Sequence, residues 1–319
     1  MVPPLPSNGR GDDPDAGGYG AAVNSQTSPG FGTRDVLVAI MMNVLWGLNL
    51  IAVKMAVGAM GAFTAATLRQ AIVFIVCASA LRIVPGKMRE LLLLGVLSGG
   101  LFYVFINAAV AVADNVSALA IAGQVGVPIS LLLGVVFLGE RIHRARIVGI
   151  GLSFAGVVVL VFDPAIAREI PGLLLTVCSS VVWSISSLIQ RRLRGVPVLT
   201  IYAWMGLIGT LVLAPLAWIF EPAQVHALPD VPLRDFGWVI FSAIGSTMLG
   251  HGAMSWLLQR HPISAVVPLT LATPVISVTA ASLFFATPLT PIMIAGGTVA
   301  LIGVAIVTIR TARTRESAA

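Results

Sequence analysis

Residues 35–57 read DVLVAIMMNVLWGLNLIAVKMAV, a run whose only charges are an aspartate at its start and a lysine near its end. An α-helix needs about 20 apolar residues to cross about 30 Å of hydrocarbon, so this run is long enough to span a bilayer. Nine similar runs follow, and the sequence therefore predicts an all-α integral membrane protein. The ten predicted spans cover residues 35–57, 62–84, 89–112, 115–138, 145–162, 170–190, 199–220, 236–258, 263–285 and 290–310.

The composition of the whole chain supports this fold class. Of 319 residues, 57% are apolar and 10% are charged. A soluble domain typically has about 45–50% apolar and about 25% charged residues. The 19 Lys and Arg and 13 Asp and Glu residues are too few to cover a soluble protein of this length. This argues against a soluble enzyme, a nucleic-acid-binding protein and a secreted disulfide-bonded domain.

The residues that carry catalytic or metal chemistry in other proteins are sparse here. Cys77 and Cys178 both lie in apolar runs, which is typical of small core residues and not of a disulfide framework or metal site. The sequence contains no Walker motif, no HExxH motif and no GxSxG motif. We therefore expect no catalytic residue, no metal and no cofactor.

The two ends of the chain differ from the spans between them. Residues 1–34 are rich in Pro, Gly and Asp, and such a segment cannot bury enough apolar surface to offset the cost of ordering it. We expect a disordered cytoplasmic tail there, without a signal peptide, and a second cytoplasmic tail at residues 312–319. Residues 35–163 and 164–311 then form two repeats of five spans each.

The positions of the basic residues indicate the orientation in the membrane, because cytoplasmic loops are enriched in Lys and Arg. When the N-terminus is placed inside, all Lys and Arg residues but four fall in cytoplasmic segments. The four exceptions are Arg168 and Arg234 in outer loops and Lys54 and Arg69 within spans. The sequence therefore predicts a multi-pass protein of the cell (inner) membrane with both termini in the cytoplasm. Its partners are then the lipid bilayer and a small-molecule substrate, and not nucleic acid.

The two halves of the chain resemble each other. Trp46 and Trp183 begin matching stretches 137 positions apart, and later pairs such as Gly149 and Gly296 lie 147 positions apart. Because each half has an odd number of spans, the second half enters the membrane from the opposite side. The sequence thus predicts two inverted five-helix repeats around a central cavity, an architecture found in secondary transporters that use alternating access.

Two prolines lie at nearly matching positions in the halves, Pro128 in the fourth span and Pro274 in the ninth. Each removes a backbone donor and strains the carbonyl four residues earlier. Helix breaks at corresponding positions in two repeats point to a transport site. Proline is also common in membrane helices generally, so a purely structural role stays open.

Polar side chains within the spans are costly in hydrocarbon, and they usually face a cavity or a partner. Aromatic walls with a few convergent polar groups suit a small zwitterion, although hydrogen bonds between neighbouring helices are the alternative role. The candidate substrate-binding residues are Trp46, Asn49, Arg69, Tyr103, Asn107, Gln124, Trp183, Ser187 and His251.

Of three charged or titratable residues in the spans, Arg69 and His251 have more than one interpretation and Lys54 has one. Arg69, roughly 10 Å deep at 1.5 Å per residue, attracts a substrate carboxylate or else pairs with Asp114 or extends to the interface. His251, near mid-span, is a candidate for proton coupling or else a packed neutral histidine. Lys54, close to the outer end of the first span, fits an interfacial lysine.

The turn between the fourth and fifth spans holds a predicted inner-face cluster of Glu140, Arg141 and Arg144. A salt-bridge cluster that fixes this turn is one role, and a gate is the other. Small-residue pairs such as Gly95 with Gly99 allow helices to approach closely. In the fifth and tenth spans such small residues either pack the two halves together or form a homodimer, and the sequence leaves both roles open.

Several motifs, in order along residues 35–310, resemble those of the EamA family in the drug/metabolite transporter superfamily. Residues 46–54, WGLNLIAVK, resemble its first-helix motif. Residues 139–143, GERIH, followed by Gly149 and by AGV at 155–157, resemble its signature between the fourth and fifth spans. Leu68-Arg69 and residues 260–268, RHPISAVVP, also fit the family.

This resemblance implies two five-helix repeats around a cavity, and it is closest to the O-acetylserine/cysteine, or amino-acid metabolite, exporter branch. One departure concerns the end of the ninth span, where the family often repeats a Gly-Glu pair. Residues 285–290 read FATPLT here and contain no carboxylate, so a mechanism that needs symmetric glutamates is not expected.

The expected function is a secondary transporter that exports an amino acid or a derivative, with proton coupling left open. A facilitator is an alternative, as is a flippase for a sugar-nucleotide or lipid-linked substrate. A flippase would favour a cavity whose basic side chains bind phosphate, and only Arg69 is available for this role. An intramembrane enzyme would need a nucleophile paired with a base, or a metal cluster, and a pore would need rings of like charge or a filter loop. The sequence shows none of these features.

Overall fold

A computed structural model describes residues 31–138, 144–261 and 263–316, and within them every regular element is a helix. The first half contains α1 (Thr33–Met60), α2 (Ala62–Cys77), α3 (Met88–Val112), α4 (Val116–Ala122, Gly123–Val125 and Gly126–Leu138 in succession) and α5 (Arg144–Val161). The second half contains α6 (Ile170–Arg192), α7 (Val198–Phe220), α8 (Leu233–Ile240, Phe241–Gly250 and His251–Leu258 in succession), α9 (Ile263–Val266, Val267–Leu271 and Ala272–Phe285 in succession) and α10 (Pro291–Glu316). Each predicted span overlaps one of these helices, although the second predicted span, 62–84, extends past the end of α2 at Cys77.

Eight of these helices, within the described residues, are long and apolar enough to cross a membrane: α1–α4, α6, α7, α9 and α10. The apolar part of α5, Ile147–Val161, is shorter. Helix α8 is not among the eight because polar residues of its central part, such as Ser246 and His251, lower its mean hydropathy. Large apolar side chains such as Phe162 and Leu283 are exposed, as expected of a surface that faces lipid. The chain is therefore an all-α, multi-pass membrane protein.

The buried apolar side chains lie at both ends of the helix bundle but are distributed unequally. One large cluster occupies the end where α1 and α3 finish and α4 begins, and both halves of the chain contribute to it. We call this the closed end; its members include Met60, Val110, Leu119, Leu160 and Ala281.

The opposite end has two separate clusters among the described residues. The α1/α8 cluster contains Met42 and Leu257, and the α3/α6 cluster contains Leu94 and Leu193. These two clusters share no residue, and we call this end the split end.

Helices α3 and α8 each contain a π-helical stretch, which the sequence did not predict. The stretches are Gly95–Leu101 in α3 and Phe241–Gly250 in α8. A π-helical stretch widens the turn and often occurs at functional sites. Both lead directly into residues that face the centre of the bundle.

The two prolines that were predicted as helix breaks each follow a short 3₁₀ stretch. Pro128 lies three residues after Gly123–Val125, and Pro274 lies three residues after Val267–Leu271. The tighter winding falls where a proline removes the donor to the carbonyl four residues earlier. Both side chains are buried, and the helices continue beyond them.

Candidate functional site

A cavity of about 400 Å³ lies in the middle of the bundle, between the closed end and the split end. Six helices from both halves contribute to its wall: α1, α2, α3, α6, α8 and α9. The lining residues are Trp46, Asn49, Leu50, Val53, Arg69, Phe102, Tyr103, Ile106, Asn107, Val110, Trp183, Ser246, His251, Thr273 and Ser277.

Seven of the nine residues predicted to bind substrate line this cavity, and two do not. The seven are Trp46, Asn49, Arg69, Tyr103, Asn107, Trp183 and His251. Gln124 donates from Nε2 to the carbonyl of Ala120 in its own helix. Ser187 likewise donates to the carbonyl of Ser184. These two side chains therefore support their own helices and are not part of the wall.

Arg69 is the buried cation of the cavity, with 9% of its surface exposed. Its Nη1 donates to Ser242 Oγ at 2.5 Å and its Nη2 to Thr247 Oγ1 at 2.8 Å. Its guanidinium carbon lies 4.9 Å from the centre of the Tyr103 ring, which is within the range of a cation–π contact. Its Nε is buried and has no hydrogen-bond partner among the described residues.

The expected alternative, an ion pair between Arg69 and Asp114, is wrong. In the part of the chain that the structure describes, no carboxylate oxygen lies within 4 Å of Arg69. Asp114 instead lies beyond the end of α3, where its backbone N–H donates to Glu169 Oε1 at 3.2 Å. The guanidinium is therefore held by neutral hydroxyl groups and an aromatic ring.

Helix α8 supplies the two hydroxyl partners of Arg69, and the sequence did not single out either of them. Ser242 Oγ also donates to Asn49 Oδ1 at 2.7 Å, so one serine connects α2, α8 and α1. Thr247 Oγ1 donates to the carbonyl of Ser242 at 3.1 Å, across the π-helical stretch. The one signal in the sequence was the set of small polar residues in an otherwise apolar span.

Aromatic rings form the sides of the cavity. The indole of Trp46 donates from Nε1 to the carbonyl of Ser246 at 3.1 Å, and its ring meets His251 edge-on at 5.1 Å. His251 Nδ1 lies 2.9 Å from the carbonyl of Thr247, so Nδ1 carries the proton in that bond. Trp183, in the other half, contacts Phe102 at 5.5 Å between ring centres.

Three amide and hydroxyl groups complete the lining. Asn107 Nδ2 donates to the carbonyl of Tyr103 at 3.0 Å. Ser277 Oγ donates to the carbonyl of Gly47 at 3.0 Å, and Thr273 Oγ1 donates to Asn43 Oδ1 at 2.7 Å. Ser277 and Thr273 are further lining residues that were not among the predicted set.

The charged side chains near the closed end form hydrogen bonds with backbone groups at the ends of helices, and they do not line the cavity. Lys54 Nζ donates to the carbonyls of Val110 and Ala113 at the end of α3, which is a more specific contact than the interfacial position expected for it. Glu169 accepts the N–H of Asn115 at the start of α4, at 3.0 Å. Glu221 accepts the N–H of Thr64 at the start of α2, at 2.8 Å. Carboxylates at helix N-termini satisfy otherwise unpaired N–H groups.

The predicted inner-face cluster is described only in part. Glu140 and Arg141 lie outside the described residues, and Arg144 is an exposed residue at the start of α5. The same part of the chain contains no group of three or more His, Cys, Asp or Glu residues that could hold a metal ion. Cys77 is buried and Cys178 is exposed, and both are free thiols.

The chain is similar to known proteins over most of its length. The family model described as the EamA-like transporter family matches residues 33–162 and again residues 170–309. A probable amino-acid metabolite efflux pump of Escherichia coli (strain K12) is 23% identical over 278 residues, which cover 85% of this chain and 93% of that protein. An uncharacterized transporter of Archaeoglobus fulgidus is 29% identical over 280 residues, which cover 85% of this chain and 97% of that protein.

The helical arrangement also has a counterpart of known crystal structure. That chain superposes on this one with a TM-score of 0.59 at 24% sequence identity, covering 90% of this chain and all of the other. At 24% identity, this similarity shows that the two chains share a fold. Two successive family matches, which together cover most of the sequence, show that the chain belongs to the EamA-like transporter family.

Proposed function

We propose that this protein is a secondary transporter that exports a small metabolite, an amino acid or a derivative, across the cell membrane by alternating access of the central cavity. The observation that carries the proposal is a cavity between two homologous halves, walled by aromatic rings and containing one buried arginine. A relative named as an amino-acid metabolite efflux pump supports both the substrate class and the direction.

The proposal includes ten membrane-spanning helices that form two inverted repeats. Contacts of the glycines in α5 and α10 support it. A Cβ on Gly149 would lie 2.9 Å from the carbonyl of Gly303, and one on Gly296 would lie 2.6 Å from that of Gly156. Since Gly149 corresponds to Gly296 and Gly156 to Gly303, the two contacts are equivalent, and the helices cross in antiparallel directions.

A second pair of equivalent contacts supports the same repeat. Ser277 of α9 donates to the carbonyl of Gly47 of α1, and Ser130 of α4 donates to Ser184 of α6 at 2.9 Å. Gly47 corresponds to Ser184, and Ser130 corresponds to Ser277, at the offsets of 137 and 147. The π-helical stretches in α3 and α8 are likewise in corresponding spans.

The unequal packing of the two ends supports alternating access. With both termini in the cytoplasm, as the basic residues predict, the split end faces the cytoplasm and the closed end faces outward. The proposal places the opening of the cavity at the split end, toward the cytoplasm, which is the side from which an exporter takes its substrate. Export requires the closed end to separate while the two clusters of the split end come together.

The cavity chemistry supports a carboxylate-bearing substrate. The guanidinium of Arg69 offers the planar donor geometry that carboxylates accept, and its Nε is not yet engaged. Proton coupling through His251 and assembly into a homodimer are compatible with this proposal and are not required by it.

Counterflow in proteoliposomes tests the function. Vesicles that contain the purified protein are loaded with one amino acid or derivative from a panel, and uptake of the labelled compound is measured with and without a pH gradient. We expect Arg69→Gln to lower uptake at least about tenfold, because about 1.5–3 kcal/mol is typical of a hydrogen bond to a charged group. Ser187→Ala is the control, since its hydroxyl lies outside the cavity.

A dependence of uptake on the pH gradient would indicate coupled transport, and independence would indicate a facilitator. The proposal fails if no member of the panel enters protein-containing vesicles faster than protein-free ones. Equal transport by the Arg69→Gln and Ser187→Ala variants would show that Arg69 is not part of the substrate site.

A further inference from the structure

The cavity has a fixed positive charge and, among the residues that the structure describes, no carboxylate in its wall. The two Nη groups of Arg69 bond to neutral hydroxyls, and its Nε is buried without a partner. A buried guanidinium without a counter-ion is costly, because the low dielectric of the interior does not screen its charge. An anionic group of the substrate would complete this site.

Several hydrogen-bond acceptors of the wall are already engaged by donors of the protein itself. The engaged pairs are Trp46 with the carbonyl of Ser246, His251 with the carbonyl of Thr247, Asn107 with the carbonyl of Tyr103, and Ser242 with the side chain of Asn49. In contrast, Arg69 Nε is a donor without an acceptor. The one permanently charged group among the described lining residues is thus a donor, and an anionic acceptor on the substrate would pair with it.

A free α-ammonium group fits this environment poorly. It is two bonds from the carboxylate carbon, so it stays close to any guanidinium that holds the carboxylate, and like charges repel strongly at low dielectric. It also brings three donors that need acceptors. The ring of Tyr103 already faces the guanidinium of Arg69 at 4.9 Å, so this one ring of the wall is not free for a second cation.

We propose that the site selects a small carboxylate without a charged amino group, in particular an N-acylated amino acid, over the free zwitterion. This inference rests on the proposed function and narrows its substrate class. Acylation removes the positive charge and adds a carbonyl acceptor, and both changes match the wall. The apolar side chains of Leu50, Val53 and Ile106 provide contacts for the acyl group and the side chain of the substrate.

Matched substrates test this selectivity on the wild-type protein. Proteoliposomes containing the full chain are assayed for counterflow of N-acetyl-L-leucine, L-leucine and L-leucinamide, and the series is repeated with the alanine and phenylalanine compounds. We expect N-acetyl-L-leucine to exchange at least about tenfold faster than L-leucine at equal concentration, and L-leucinamide to be the slowest.

The outcomes separate this inference from the proposed function. Equal or faster exchange of the free amino acids would overturn the inference and leave the transport function standing. Exchange of none of the compounds above that of protein-free vesicles would overturn both.

A single isosteric change provides a second test. Asn107→Asp adds a carboxylate to the wall, which would neutralise Arg69 and provide a partner for an ammonium group. The exchange ratio of N-acetyl-L-leucine to L-leucine should then fall at least about tenfold. Gln124→Glu is the matched control, because it makes the same chemical change outside the cavity and should leave the ratio unchanged. An unchanged ratio in folded, monodisperse Asn107→Asp protein would contradict the charge argument.

Discussion

At the scale of single residues, the buried guanidinium of Arg69 depends on Ser242. This serine accepts from Arg69 and donates to Asn49, so its hydroxyl connects the charge to the first helix. A hydrogen bond between a neutral and a charged group typically contributes about 1.5–3 kcal/mol, and more is lost when the remaining partner stays buried. The position of the guanidinium in the cavity therefore rests on a side chain that does not itself line the cavity.

Ser242→Ala should lower both the transport rate and the thermal stability. We expect at least about a tenfold lower uptake, because one Nη of Arg69 loses its acceptor and the side chain can leave its position. Uptake in proteoliposomes and the melting temperature in detergent measure the two effects. Ser187→Ala, in which the lost hydroxyl bonds only to its own helix, should change neither by a comparable amount. Wild-type transport in Ser242→Ala would show that the hydroxyl does not position Arg69.

At the scale of helices, the contact between α5 and α10 depends on the absence of side chains. A Cβ on Gly156 would lie 2.4 Å from the carbonyl of Gly296, a distance that real Cβ atoms essentially never show. Small residues let membrane helices approach until their backbones touch, and this close contact supplies packing energy that lipid cannot replace. This contact packs the last helix of the first half against the last helix of the second half.

Gly156→Ala should destabilise this contact, and the same helix offers a matched control. Gly151 lies on the exposed side of α5, where a Cβ would meet nothing within 4 Å. We expect Gly156→Ala to lower the free energy of unfolding by about 1–3 kcal/mol through overpacking. Gly151→Ala should leave it unchanged or raise it by up to about 1 kcal/mol through helix propensity. Melting temperatures in detergent compare the two, and equal values would refute the close contact.

The positions of the helices were predictable, whereas the direction of each side chain was less so. Runs of about 20 apolar residues locate helices because each must cross the hydrocarbon, and predicted and observed bounds agree within a few residues for α3, α6 and α7. Gln124 and Ser187 show the limit. Helices that are apolar all round have no sequence signal for their inward face, so rotation is decided by packing against neighbours.

The π-helical stretches were missed for a related reason. In α3, Gly95 and Gly99 suggested close helix packing, and Gly99 does lie against α7, where an added Cβ would be 2.3 Å from the carbonyl of Met205. The same residues widen the turn before Tyr103 in α3, and the corresponding stretch of α8 brings Ser242 and Thr247 to Arg69. A partner 173 positions away cannot be read from a local pattern.

At the scale of the whole molecule, transport as proposed depends on two halves inserted in opposite directions. Equivalent connections then lie on opposite sides of the membrane. Residues 78–87 connect α2 to α3, and residues 221–232 connect α7 to α8 in the second half. Arg82 and Gln224 are exposed in these connections, so both can be replaced by a reporter without disturbing the core.

Labelling of these two positions is the most direct test of the inverted repeat. Arg82→Cys and Gln224→Cys are each made in a chain that carries Cys77→Ser and Cys178→Ser, and cells are treated with a membrane-impermeant maleimide. Gln224→Cys should react in intact cells, whereas Arg82→Cys should react only after the membrane is permeabilised. Reaction of both from the same side would mean that the halves are parallel, and it would contradict the transport mechanism proposed for this protein.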